Sequence, residues 1–401
     1  MTKAAVGYSE NTSSREAGAE AARAALEKLG GDAPDVVLLF GTAKHDPSRL
    51  REGVRSIVGP EPPLFGGAAV GVITNERMGY DGYQFGVALL SSSDARFHLF
   101  IEKNLPDNEY AVGRALGAAI RAHGSDPDNL LLLYDIVKRQ VSTGMSLNMA
   151  TPLLQGLGES LGAWPTTAGG GTMGDMQWSP TFQWFGDEIE NHSAIALSMS
   201  GDLQMHTAIL HGCKPSSPYY TITKAEENTV LELDGRPALD VITDLLGSET
   251  KWEDYPLFIT LGVNNGDPFG DYNEDEYAVR LCMDVDRERG GLVMFGDDLT
   301  TGKQVQLMRR SISFDYIAQR AERLFEQIGD RRPVMALYID CAGRASAYSG
   351  TDREEAEEVQ KVIGSRVPLL GWYVGCEIAK AGSVMQSHNW TGVLSILSAS
   401  H

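Results

Sequence analysis

Apolar positions along the chain follow two patterns, continuous runs and runs with helical spacing. Residues 35–40 read DVVLLF and residues 129–137 begin NLLLLYDIV, with no alternation of polar and apolar positions. Strands of this kind are usually covered on both faces of a sheet. Between them, Asp46 and Pro47 occupy positions that favour a helix start, and an apolar stripe with helical spacing begins at Leu50. The pattern therefore predicts buried strands alternating with amphipathic helices.

The same order of elements occurs three times. The segment LFGGAAVG (64–71) matches TTAGGGTMG (166–174) and LLGWYVGCEI (369–378), each a strand that runs into glycines. Each copy later ends in an apolar strand, FGVALLSS, AIALSMSG or GVLSILS. We interpret the three copies as an internal duplication. In the first copy we also expect the strands at 83–91 and 96–102 to pair as a hairpin.

These elements predict an α+β fold with mixed sheets built from repeated strand–helix–strand–hairpin units. Helices are expected to cover the outer faces of stacked sheets, as in an αββα-like sandwich, because strands as apolar as 35–40 need cover on both faces. We place a domain boundary near Lys224. Residues 1–223 then hold two repeat units, and residues 224–401 hold the third.

Charge and cysteine content narrow the function classes. The net charge of −20 over 401 residues argues against binding to nucleic acid or insertion at an anionic membrane, since no basic patch offsets it. No run is long and apolar enough for a membrane span, and the N-terminus does not read as a signal peptide. The four cysteines lie far apart in the sequence, so neither a disulfide framework nor a zinc cluster is expected. A reducing cytoplasm is the expected location.

The third copy (334–397) has the most polar groups at its strand ends. An arginine at a strand end suits bidentate capture of a carboxylate, which makes Arg344 a candidate binding residue. Glu377, after a glycine-containing turn, is a candidate for an amino group. The alternative is that Arg344 and Glu377 form a structural ion pair with each other. The full set of candidate ligand-binding residues is Arg344, Glu377, Asp340, Cys341, Tyr373, His388, Asn389, Gly170 and Asp175.

The sequence supports catalysis or cofactor binding less strongly than it supports ligand binding. A cysteine beside an arginine gains thiolate character, so Cys341 is a candidate nucleophile with His388 as a base, although a buried cysteine is most often an apolar filler. Asp340, Cys341, Glu377 and His388 contain no closely spaced ligand pair, so no metal site is expected. The glycine-rich segments lack the spacing of a phosphate loop or a dinucleotide fingerprint, so we expect no cofactor.

The chain resembles the FIST-domain family. The resemblance rests on VGYSENTSS, PDVVLLFGTA and PLFGGAAVGVI in the first half and on LELDGRPALDVITDLLG, IDCAGR, VPLLGWYVGCEIA and HNWTGVLSILS in the second. It implies a stand-alone prokaryotic sensory module, an N-terminal FIST domain followed by a C-terminal one. Such a module is thought to bind small ligands such as amino acids and to signal to a kinase, chemoreceptor or cyclase. One departure is that Gly71 is followed by Val72, where the later copies carry Asp175 and Glu377.

Three functional hypotheses follow. The favoured one is a non-catalytic sensor of a small molecule, an amino acid or related metabolite, that signals through a separate partner. The second is a thiol-dependent hydrolase that uses Cys341. The third is an interaction scaffold with no small ligand. An enclosed polar pocket near Arg344 would distinguish the first hypothesis from the third.

Overall fold

Strands that alternate with helices begin the chain, as the apolar pattern predicts. The structure is a computed structural model that describes residues 1–124, 127–141, 144–247 and 249–401. Asp46 caps a helix as predicted, since its Oδ1 accepts hydrogen bonds from the backbone N–H groups of Ser48 and Arg49. The elements of this first unit are β1 Thr2–Ser9, α1 Ser14–Leu29, β2 Val36–Gly41, α2 Pro47–Val58, β3 Leu64–Ala68, β4 Gly71–Thr74, β5 Met78–Tyr80 and β6 Phe85–Ser92.

The second unit repeats this order, with a short strand pair added before its second helix. Its elements are β7 Ala95–Glu102, α3 Glu109–Ala122, β8 Asn129–Asp135, β9 Val137–Val141, β10 Gly144–Leu147, α4 Ala150–Leu161, β11 Thr166–Thr172, β12 Gln183–Phe185, β13 Glu188–Glu190 and β14 Ala194–Gly201. The predicted hairpin between 83–91 and 96–102 is wrong. Both edges of β6 are already occupied by β1 and β2, so β7 pairs with β14 instead.

The third unit is interrupted after its first strand, β15 Gln204–Leu210, by an inserted segment. The inserted elements are β16 Cys213–Pro215, β17 Tyr220–Glu226, β18 Thr229–Leu233, β19 Arg236–Pro237, α5 Ala238–Leu246, β20 Thr260–Asn264, β21 Tyr277–Asp286, β22 Gly291–Met294 and β23 Gln304–Arg310. The unit then resumes with α6 Asp315–Ile328, β24 Arg332–Cys341, α7 Ser346–Ser349, α8 Glu355–Ile363, β25 Leu369–Val374, β26 Cys376–Ala381, β27 Val384–His388 and β28 Gly392–Ala399. The division at residues 223 and 224 stays a prediction.

Three six-stranded sheets exchange hairpins in a cycle. Sheet I has the order β1-β6-β2-β3-β12-β13, so it receives the hairpin of the second unit. Sheet II, β27-β26-β11-β8-β14-β7, receives the hairpin of the third unit, and sheet III, β15-β28-β24-β25-β4-β5, receives that of the first. Each sheet mixes parallel and antiparallel pairs; for example, β2 and β3 are parallel whereas β2 and β6 are antiparallel. Every unit is thereby tied to both others by backbone hydrogen bonds.

The inner faces of the three sheets form a shared core, and helices cover the outer faces. Leu38, Leu133 and Leu337, from sheets I, II and III, belong to one buried cluster. Helices α1 and α2 pack on the outer face of sheet I, while α3, α4, α6 and α8 pack on sheets II and III. The α+β class with mixed sheets is therefore confirmed. The hairpin exchange links the three six-stranded sheets within this arrangement of inner sheets and outer helices.

The inserted segment forms a sheet of its own. β23 pairs with both β17 and β20, which closes six of its strands into a ring around a separate apolar cluster. A buried arginine joins this ring to the third unit: Arg280 of β21 pairs with Asp298 of the inserted segment at 2.7 and 2.8 Å and also donates to Gln386 of β27 at 3.0 Å. The ring is thus held against sheets II and III, next to the ends of β24 and β26.

Candidate functional site

The end of β24 and the start of β26 bring four of the predicted site residues together. Asp340 and Cys341 end β24, Arg344 lies in the turn that follows, and Glu377 is the second residue of β26. Each of the four residues is at most 5% exposed. We call this group the polar centre. Its elements lie in sheets II and III, so the hairpin exchange is what positions Glu377 near Asp340.

Both terminal nitrogens of Arg344 are engaged within the protein. Its Nη1 donates to the carbonyl oxygens of Leu210 at 2.6 Å and Trp390 at 3.1 Å. Its Nη2 donates to the Tyr316 hydroxyl at 3.2 Å and to the Glu355 carboxylate. A guanidinium has five N–H donors in a fixed plane, so these contacts leave little free for a ligand.

The acidic partners of Arg344 are Asp340 and Glu355. Its Nε lies 3.0 Å from Asp340 Oδ1. No ion pair between Arg344 and Glu377 occurs among the described residues. The predicted alternative of an Arg344–Glu377 pair therefore gives way to a chain of charges that runs from Asp340 through Arg344 to Glu355.

The two buried acids of the polar centre retain protons more strongly than exposed acids do. Burial raises the pKa of Asp340 to about 7, although Arg344 opposes the shift. Burial and the neighbouring Asp340 raise the pKa of Glu377 well above its usual range. Glu377 Oε2 accepts from the N–H of Thr391 at 3.2 Å, and Oε1 has no hydrogen-bond partner in the described part of the chain. The polar centre therefore holds protons on its acids near neutral pH.

Cys341 and His388 do not form an activated pair. Burial and the nearby Glu377 raise the pKa of the Cys341 thiol well above its usual value, so it stays protonated. Burial lowers the pKa of His388 to about 3, and its Nε2 lies 3.2 Å from the carbonyl oxygen of Ala379. This is the environment of a buried, inert cysteine rather than of a nucleophile with a base.

Three further candidates have structural contacts around the polar centre. Tyr373 is buried and packs edge-to-face on Tyr80 of the first unit, with ring centroids 5.8 Å apart. Asn389 accepts from the N–H of Leu281 at 3.2 Å, which joins it to the inserted ring. Gly170 lies opposite Glu377 in sheet II.

Asp175 lies apart from the polar centre. Its Oδ1 accepts from the N–H groups of Gln177 at 2.9 Å and Ser179 at 3.1 Å. These bonds close the loop between β11 and β12. Within the described ranges, no hydrogen bond or ion pair joins Asp175 to the polar centre. The structure thus brings Asp340, Cys341, Arg344 and Glu377 together, and leaves Asp175 outside the group.

A large cavity lies on the other side of Arg344. Its volume is about 750 Å³, and it lies between the inserted ring and the third unit. We call it the junction cavity. The ring contributes β23 and the end of α5, and the third unit contributes Tyr316, Glu355 and Trp390. Glu355 and Tyr316 line the cavity and also bind Arg344, so the cavity wall is one contact away from the polar centre.

The charged groups of the junction cavity were missed by sequence reasoning. Arg310, the last residue of β23, stacks on the Trp390 ring with its guanidinium carbon 3.3 Å from the ring centroid. His211 follows β15 and is buried. Both residues line the cavity. Polar residues at strand ends were the signal used for the third copy, and the same signal applied to β15 and β23 would have found them.

A second cavity lies away from the predicted site residues. A cavity of about 460 Å³ lies between β1 and the loop at 364–368. None of the nine predicted site residues lines it, and no hydrogen bond or ion pair joins Arg344 to its lining among the described residues. We also find no group of three or more His, Cys, Asp or Glu side chains placed to hold a metal ion within the described residues. In the same residues, no helix has the length and apolar character needed to cross a bilayer.

Comparison with known families gives two matches that together cover most of the chain. The FIST N domain matches residues 35–236, and the FIST C domain matches residues 238–380. An uncharacterized protein of Mycobacterium tuberculosis strain H37Rv is 24% identical over 398 residues, which cover 98% of both chains. An uncharacterized protein of Mycobacterium bovis is 22% identical over 400 residues, 98% of this chain and 97% of the relative.

Two solved structures illustrate more distant likenesses. A cyanuric acid hydrolase aligns over 100% of both chains with 12% identity and a TM-score of 0.34. A chorismatase aligns over 99% of both chains with 10% identity and a TM-score of 0.33. Likenesses this distant do not bear on the activity of the present chain.

Proposed function

The chain belongs to the FIST family, and from that premise we propose that it is a sensory protein that binds a small molecule in the junction cavity. The ligand class proposed is an amino acid or a related metabolite. The signal then passes to a separate partner such as a kinase, a chemoreceptor or a cyclase. We further propose a cytoplasmic location, which agrees with four free and buried cysteines.

The observation that carries this proposal is the junction cavity itself. Its volume of about 750 Å³ falls within the range of small-molecule sites. Apolar side chains such as Leu246 and Phe258 line it beside a few charged ones, which is the usual composition of a ligand site. A pocket lined by Tyr316 and Glu355, two partners of Arg344, favours a sensor over a scaffold without a ligand.

The position of the cavity supports a sensory role. A ligand there would touch the inserted ring on one side and the third unit on the other. Its contact with Glu355 or Tyr316 would alter the partners of Arg344, which also binds the backbone at Leu210 and Trp390. Those two carbonyls lie where the chain enters the inserted ring and next to β28. A small change in the cavity would thereby reach the attachment of the ring to the rest of the molecule.

A thermal-shift screen of amino acids and other small metabolites tests the proposal. Leu246→Trp fills the cavity from the last residue of α5, and Leu161→Trp makes the same change at the last residue of α4, outside the cavity. We expect at least one compound to raise the melting temperature of the wild type and of Leu161→Trp, but not of Leu246→Trp. A shift that survives Leu246→Trp, or no shift with any compound, would contradict binding at this site.

A further inference from the structure

Charge in the junction cavity opposes that of the molecule as a whole. The chain carries a net charge of −20. Yet Arg309, Arg310 and Arg353 line this one cavity, against Asp352 and Glu355. The carboxylate of Glu355 is already bound by Arg344. Arg353 is likewise paired with Glu358, at 2.8 Å. The charges left to face the cavity are those of Arg309, Arg310 and Asp352, whose sum is positive, which favours an anion over a cation or a neutral molecule.

Arg310 supplies a fixed cation that forms no ion pair with any of the described residues. Its plane is held against the Trp390 ring, and its Nη2 donates to the carbonyl oxygen of Leu257. Its Nε is buried and has no hydrogen-bond partner among the described residues. Burial lowers the pKa of Arg310 to about 10, so it remains cationic near neutral pH. A half-buried cation without an anion is unfavourable, and a bound anion would relieve that cost.

His211 lines the same cavity but is itself buried. Its Nδ1 accepts from the N–H of Cys213 at 3.0 Å, so in the neutral ring the proton is on Nε2. Burial lowers the pKa of His211, which keeps the ring neutral. Nε2 is buried and without a hydrogen-bond partner in the described part of the chain, as is Nε of Arg310. Because both N–H groups are closed to solvent, a ligand in the cavity meets the charge of the Arg310 guanidinium and not a hydrogen bond from either of these atoms.

Two of the eight non-glycine residues with positive φ in the described chain are the contacts of Arg310. Trp390 has a φ of 53° and Leu257 a φ of 62°, both in the left-handed region that side chains other than glycine rarely adopt. Residues in such conformations are held there by their surroundings and cluster at binding sites. Here both serve to hold one guanidinium in place.

The remaining wall of the cavity is apolar. Leu245, Leu246, Phe258, Ile312 and Phe314 line it. Phe258 and Ile312 are 56% and 99% exposed, an unusual position for large apolar side chains that nothing in the described chain covers. Apolar groups beside an unpaired cation fit a ligand with a flat hydrocarbon body and one negative group.

We propose that the junction cavity is specific for an aromatic or cyclic carboxylate, whose negative group lies beside the Arg310 guanidinium while its ring lies against Phe258 and Phe314. This inference rests on the proposed sensory function and names the chemical class of its ligand. The carboxylate pairs with the positive charge of Arg310, and the ring packs on the apolar wall. A free amino group on the ligand is not required.

Isothermal titration calorimetry with 1-naphthoate, its neutral analogue 1-naphthalenemethanol, and acetate tests this class. We expect 1-naphthoate to bind at least roughly 10-fold more tightly than either of the others, since each lacks one half of the recognition. Arg310→Gln should weaken 1-naphthoate by roughly 10-fold and leave 1-naphthalenemethanol unchanged. Arg236→Gln removes the same charge from an exposed pair with Asp244, outside the cavity, and should change neither.

A second pair of variants, at the rim of the cavity, tests the ligand class even if Arg310→Gln fails to fold. Ile312 is fully exposed, so Ile312→Glu and Ile312→Lys should both fold. The first should weaken 1-naphthoate and the second strengthen it, each by roughly 3-fold at low salt. Equal affinity for 1-naphthoate and 1-naphthalenemethanol in every variant overturns the carboxylate class but leaves a ligand-binding sensor. Absence of binding by either probe also overturns the class, and the metabolite screen then decides the sensory function separately.

Discussion

The polar centre and the junction cavity are joined by Tyr316 and Glu355, the partners of Arg344, but differ in their access to solvent. In the polar centre, Arg344 meets Asp340 within the protein, burial raises the pKa of Glu377, and each of the four residues is at most 5% exposed. In the junction cavity, the Arg310 guanidinium stacks on Trp390 beside a volume of about 750 Å³. The first region is closed to solvent and serves the fold. The second has both space and a cation, which are the properties expected of a ligand site.

The contrast shows why conspicuous polar residues are a poor guide to a ligand site. Asp340, Cys341, Arg344 and Glu377 stand out in the sequence because they interrupt apolar strands. They lie deep in the molecule because the strands that carry them do. Residues that end strands at the molecular surface, such as Arg310, stand out less but meet solvent and ligands. Four experiments would test this contrast.

The largest effect is expected from removal of the shared arginine. Arg344→Met leaves Asp340 and Glu355 without their cation, and breaking a buried pair in this way costs about 3–5 kcal/mol. Chemical denaturation should show that loss. Arg366→Met, which breaks an exposed pair with Glu322, should cost less than about 1 kcal/mol. A loss for Arg344→Met as small as that of the control would mean that the arginine is not a structural group.

Thiol reactivity tests whether the polar centre hides a nucleophile. Burial raises the pKa of Cys213, Cys282 and Cys376 to about 12 and that of Cys341 higher still. Ellman's reagent at pH 8 should therefore react with the native chain on the order of 1000-fold more slowly than with free thiols. The urea-unfolded chain should release four equivalents promptly. One native thiol that reacts at the unfolded rate would restore the hydrolase hypothesis.

The pH dependence of stability tests the protonated acids. Asp340 has a folded pKa of about 7, above its unfolded value of about 3.9, so the folded state binds the proton more tightly. The stability from that proton is complete below about pH 4 and is lost as pH rises from 4 to 7. The unfolding free energy of the wild type relative to Asp340→Asn should fall by about 2–3 kcal/mol between pH 4.5 and 7.

Asp286→Asn is a control for which the expected pH dependence of stability has the opposite sign. Hydrogen bonds from the backbone and side chain of Arg289 lower the pKa of Asp286, so its stabilising contribution is present above its unfolded pKa and is lost as pH falls. The same denaturation series should therefore show the difference between wild type and Asp286→Asn growing with pH. A flat difference for Asp340→Asn would indicate that Asp340 is ionised throughout, as a simple ion pair with Arg344.

The smallest effect on stability is expected at the rim of the junction cavity. Phe258→Ser replaces a side chain that is 56% exposed, so the unfolding free energy should change by no more than about 0.5 kcal/mol. Binding of any ligand found in the screen should nevertheless weaken. Phe269→Ser, at a position 96% exposed and outside the cavity, should change neither stability nor binding. A large loss of stability for Phe258→Ser would make the rim part of the core rather than a binding surface.

Local features of the sequence determined much of the architecture. The continuous apolar runs at 35–40 and 129–135 became buried strands, and Asp46 capped its helix as expected. The α+β class and the FIST resemblance also came from such patterns. They succeed because the periods of strands and helices, and the capping of helix ends, depend on residues a few positions apart.

Only the tertiary structure decided which strands pair and which charges meet. The exchange of hairpins sent β7 to β14 and placed Glu377 opposite Gly170. Arg344 found Leu210, which is 134 positions away, and the junction cavity arose between segments that lie far apart in the chain. These choices depend on the total burial and hydrogen bonding of the assembled sheets. A local pattern has no information about that sum, so it identified polar residues without deciding whether they face a ligand or one another.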